Sequence, residues 1–110
     1  MKMPNSDQSS VAWEKITDYL LSSTHVSGKD KALFFSTFGF NTREIDVFRN
    51  ALMQHSVVRD VASEQTAPFG TKYKLVCEIQ KPDERNPCIV SVWILDTGTN
   101  VPKLITAYPD

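Results

Sequence analysis

The sequence predicts an α+β fold: about three N-terminal helices packed on one face of a four-stranded antiparallel β-meander. One observation behind this is a change of pattern along the chain, since before about residue 56 apolar residues recur at helical spacing and after it they alternate with period two. The other is size and composition. A chain of 110 residues with 41% hydrophobic and 23% charged residues, 4 Gly and 6 Pro has the make-up of one globular domain. Folding hides about two thirds of the extended surface at this length, which is enough for a core without staples. The expected organisation is a flexible polar segment over residues 1–10 and a single domain over residues 11–110.

Ser9 or Ser10 is placed to cap a first helix, because a hydroxyl accepts from the unpaired amides of a first turn. That helix carries Trp13, Ile16, Leu20 and Leu21 at helical spacing to about Ser22, with a strand stub before it at Val11–Ala12. Residues 22–28 read as a loop. A second helix over Lys29–Phe38 presents Ala32, Phe35 and Phe38, and Gly39 supplies the left-handed residue at its end. Asn41 followed by Glu44 opens a third helix, whose inner stripe is Ile45, Phe48, Ala51 and Leu52 and which fades near Gln54–Ser56. Val57, Val58 and Val61 then mark a weak first strand. Over Thr71–Gln80, Tyr73, Leu75, Cys77 and Ile79 point one way and Lys72, Lys74, Glu78 and Gln80 the other. Residues 81–87 form a hairpin loop, Cys88–Leu95 is apolar on both faces as a central strand is, and Lys103–Tyr108 closes the sheet after a turn at residues 96–100.

Charge and cysteine usage narrow the function. Twelve Lys and Arg against thirteen Asp and Glu leave a net charge of −1, and the pI is near 6.1. A polyanion must therefore meet a local patch, since bulk positive charge is absent. Cys77 and Cys88 match no ligand set in a chain with 2 His, so no metal is expected and both thiols are read as buried and reduced. No P-loop, nucleophile elbow, zincin motif or dinucleotide turn occurs, and no cofactor is expected. The N-terminus lacks an apolar signal region and no window approaches the roughly 18 apolar residues of a span, so the expected address is cytoplasmic, away from membranes.

Four separated segments resemble one small bacterial family. They are Asp18-Tyr19-Leu20-Leu21, the run His25 through Gly28 to Lys31-Ala32, Phe38-Gly39-Phe40-Asn41, and the closing pair Val92-Trp93-Ile94-Leu95 and Pro102-Lys103-Leu104-Ile105-Thr106-Ala107-Tyr108. In that order they are similar to the DUF6883 family, with Val26 after His25 where the family usually has Pro. The match spans about residues 11–108. The resemblance implies a domain found as free-standing bacterial genes and as the C-terminal module of large polymorphic toxins. Its layout is also that of the barnase, EndoU, colicin and RelE type of ribonuclease, an analogy at the level of fold.

Metal-free RNA cleavage needs a base for the 2′-hydroxyl proton, an acid for the leaving 5′-oxygen, and fixed cations or donors for the phosphate. His25 is the candidate acid or base, because an imidazole as a residue type exchanges protons near neutral pH, against the plain reading of an exposed loop histidine. Lys31, in the first turn of the second helix, is a phosphate holder against a solvated lysine. Thr106 and Tyr108 share one face of the last strand and complete the candidate catalytic set, though core-facing residues alternate in the same way. Lys72 and Lys74, with Arg59, are candidate nucleic-acid contacts, and edge protection is the ordinary role of strand lysines. Trp93 reads as core, and His55 as a charge at a helix C-terminus. His25, Lys31 and Thr106 are expected to converge on one cleft at the open end of the sheet. The reading is a metal-independent endoribonuclease-like toxin domain with RNA as substrate and a cognate antitoxin as partner, without DNA. The rival, which the acidic pI favours, is a non-catalytic interaction module such as an immunity protein, antitoxin or phage-encoded inhibitor.

Overall fold

Ile16, Leu20 and Leu21 are buried as the apolar pattern requires, but the helix that carries them is irregular. In the computed structural model of the protein, α1 (Trp13–Lys15) passes directly into a π-helical segment (Ile16–Leu20). The Leu21 amide donates to the Ile16 carbonyl five residues back, at 2.8 Å. One extra residue in a turn shifts helical phase by about 100°. Trp13, expected on the inner stripe, is 49% exposed at the start of α1. The structure describes residues 2–21, 29–37, 39–40, 45–79 and 88–109.

The polar stretch before this helix, expected to be loose, is packed. Met3 is 2% exposed within the core and Ser6–Gln8 form a short 3-10 turn. Neither serine caps α1, whose N-cap is Ala12. Ser9 instead hydrogen-bonds Ser56 Oγ at 2.8 Å, both buried, and the backbone of Ser10 pairs with Pro102 and Leu104 beside the last strand. Any extended pairing here sits at Ser10, one residue before the expected stub.

Helix α2 (Lys29–Thr37) buries Ala32 and Phe35, while Phe38 and the Asn41–Glu44 cap lie outside the described residues. Gly39 ends it at φ 94°, the left-handed region that a side chain disfavours. Helix α3 (Ile45–Val58) buries Ile45, Phe48, Ala51 and Leu52 as expected and runs on past Ser56, leaving Val57 and Val58 exposed at its end. Phe48 binds the helices together, with ring centroids 4.7 Å from Phe35 and 4.6 Å from Phe40.

Strands β1 (Val61–Ala67), β2 (Gly70–Glu78), β3 (Cys88–Asp96) and β4 (Lys103–Pro109) pair antiparallel, and their spatial order is their chain order. Gly70 admits the close pairing of β2 with β3, because a Cβ there would lie 2.5 Å from the Leu95 carbonyl oxygen. Tyr73, Leu75, Ile79, Ile89, Trp93, Leu104 and Ala107 face the helices and share their core. Trp93 is fully buried, as its apolar surroundings require. An irregularity in register sets Leu104 opposite Trp93 but Thr106 opposite Val92, with Ile105 as the extra residue. Cys88, expected to be buried, is half-buried at the start of β3. No helix among the described residues is long and apolar enough to cross a membrane.

Candidate functional site

Two of the residues expected to converge meet through a third. Tyr19, in the π segment, holds its hydroxyl 3.0 Å from Thr106 Oγ1 of β4. Lys31 of α2 stands with its ammonium 5.1 Å from the Tyr19 ring centroid, and Lys15 of α1 at 5.5 Å. Both distances are within cation–π range. The helix geometry explains Lys15, since residues four apart are neighbours on a helical surface. Lys31 and Thr106 arrive from elements that pack against this segment.

Burial would push the Tyr19 phenol up, but hydrogen bonding from Lys31 and Thr106 and the charges of Lys31 and Lys15 outweigh it and hold the group below the usual phenol range. Tyr73 shows the opposite outcome. There burial, joined by the Glu64 carboxylate, raises the phenol despite a hydrogen bond from Thr71. A phenol inclined to ionise beside two ammonium groups can exchange a proton and receive an anion at one place. Single π turns also concentrate at functional sites. Tyr19 has no role in the expected site although it belongs to the quoted Asp18–Leu21 motif; the usable signal was Lys15 and Tyr19 at helical spacing.

The other candidates are distributed as follows. His25 lies outside the described residues. Tyr108 is half-buried two residues beyond Thr106, opposite Val90. Lys72 and Lys74 are exposed on β2, opposite Ile94 and Val92. Arg59 stands at the junction of α3 and β1, its amide donating to the His55 carbonyl at 3.1 Å and its Nε buried without a hydrogen-bond partner. Strands β1 and β4 are opposite edges of the sheet, about 14 Å apart at three strand spacings.

His55 has a partner that its place near a helix end did not reveal. It is 1% exposed, with Nδ1 2.8 Å from Ser91 Oγ, which also accepts from Trp93 Nε1 at 2.8 Å. It stands in the last turn of α3, as expected, and belongs there to a buried polar chain joining α3 to β3.

The chain matches the family described as a domain of unknown function, DUF6883, over residues 2–110. No curated protein matches it. Among solved structures, it is similar to a chain of the contact-dependent growth inhibition toxin–immunity protein complex from Klebsiella pneumoniae 342, with a TM-score of 0.72 and 14% identity, covering 96% of this chain and 97% of that one. At that identity the likeness is one of fold.

Proposed function

The chain belongs to the DUF6883 family, and from that premise we propose that it is a metal-independent endoribonuclease-like toxin domain of a bacterial toxin–immunity system, acting on RNA in the cytoplasm. The observation that carries the proposal is Tyr19, a phenol held below its usual range between Lys31, Lys15 and Thr106. As phenolate, Tyr19 takes the proton of a ribose 2′-hydroxyl. The 2′-oxygen then attacks the adjacent phosphorus and the bond from phosphorus to the 5′-oxygen breaks. His25 is assigned the proton that the leaving 5′-oxygen receives, and the products are a 2′,3′-cyclic phosphate and a 5′-hydroxyl. Lys31 and Lys15 face the charge that grows on the phosphate, Thr106 positions the phenol, and Tyr108 lines the approach. Structural likeness to a chain of a toxin–immunity complex supports a protein partner that restrains the domain.

Expression of the chain alone in a bacterium should arrest growth, and RNA from those cells should carry new 2′,3′-cyclic phosphate ends. A folded chain that neither slows growth nor generates such ends is instead the non-catalytic interaction module that the pI of 6.1 favours.

A further inference from the structure

We propose that the helix-free face of the sheet is the track on which the RNA backbone lies as it reaches Tyr19, an inference that rests on the ribonuclease reading and adds a binding surface to it. Register defines the surface. Lys72, Ile94 and Lys103 form one cross-strand row, Lys74, Val92 and Thr106 the next, and Val76, Val90 and Tyr108 a third. Lys72, Lys74 and Lys103 are exposed. Val90 and Val92 beside them are 6% and 7% exposed, yet they stand outside the core cluster shared with the helices. Lysine stems can cover such an apolar floor while their charged heads remain in water.

The charge on this face is one-sided. Asp96 stands at one end, opposite Gly70, and among the described residues the three rows beyond it contain no carboxylate. Two strand spacings separate Lys72 from Lys103 by about 10 Å, and two residues along β2 separate Lys72 from Lys74 by about 7 Å. Charges spread in this way suit successive phosphates better than a single anion. Because the whole chain carries −1, attraction of a polyanion depends on this local patch. The row of Lys74 ends at Thr106, whose hydroxyl meets Tyr19 at 3.0 Å. Binding face and proton-transferring group are therefore continuous. Tyr108 adds an aromatic ring on the same face, a stacking partner that RNA uses and an acidic protein surface does not need.

The test is fluorescence anisotropy of the full chain with a mixed-sequence 2′-O-methyl oligoribonucleotide, which lacks the reacting hydroxyl, at several salt concentrations. The triple variant Lys72→Ala, Lys74→Ala, Lys103→Ala should bind about 10- to 100-fold more weakly and lower the slope of log affinity against log salt by about 2, since each phosphate contact on a single strand contributes about 0.7. Its circular dichroism should match the parent, because all three side chains are exposed, and its melting temperature should fall only by what uncovering Val90 and Val92 costs. Equal affinity and equal slope overturn the track, as does a parent chain that does not bind the probe. Competition by poly-glutamate as effective as that by the oligonucleotide, lost in the triple variant, assigns the face to a protein and also overturns it. Cleavage of unmodified RNA by Tyr19→Phe is read in parallel: parental cleavage by that variant, beside lost binding in the triple variant, removes the chemistry and leaves the track.

Discussion

A phenol taken out of water is harder to ionise, and Tyr73 follows that rule while Tyr19 breaks it. Each phenol has a threonine hydroxyl beside it, so the difference is the charge each meets: a carboxylate at Tyr73, two ammonium groups at Tyr19. If Tyr19 is the base, cleavage should rise with pH along a limb that ends below the ordinary phenol value of about 10. Lys31→Met removes both a hydrogen bond and a charge, so in a pH–rate profile it should move that limb upward and reduce the rate at neutral pH. Stability follows the same sign. With its folded pKa below the unfolded one, Tyr19 contributes stability fully present above the unfolded value and lost as pH falls through the folded value. The melting-temperature gap between the parent and Tyr19→Phe should therefore widen in favour of the parent from neutral pH to about pH 10; a gap that narrows contradicts the assigned environment.

At the scale of elements, β3 and α3 are locked by polar contacts as well as apolar ones. Ser91 Oγ serves both Trp93 Nε1 and His55 Nδ1. Ser91→Ala should cost about 1–3 kcal/mol in urea unfolding, because a buried donor loses its partner. Trp93→Ala should cost about 3–5 kcal/mol through the cavity it opens. The inner stripe of α3 and the alternation of β2 were legible in the sequence, because each depends on local period alone. The π segment was not, since its extra residue shifts the phase that such reading relies on. Nor was the role of His55, because its partner is chosen by how α3 docks on β3. Composition likewise misjudged residues 2–10, where a single buried Met3 and a buried Ser9–Ser56 pair fix a segment that is otherwise polar.

For the whole molecule, the core shared by the helices and one sheet face supplies the stability. Reductant or chelator should shift the melting temperature by less than about 4 °C, which at this size is on the order of 1 kcal/mol. The candidate site draws on α1, the π segment, α2 and β4, so it forms only when the helices are seated on the sheet. Lys31 and Thr106 could be chosen from the sequence by residue type and resemblance, but their meeting place could not, because Tyr19 is the piece that joins them. The most direct test of that account is the single-turnover rate of RNA cleavage by Tyr19→Phe, with its fold checked by circular dichroism. The account predicts a rate lower by about 10²- to 10⁴-fold, the usual contribution of a general base, in a protein that still folds. Cleavage at the parental rate by folded Tyr19→Phe would contradict it.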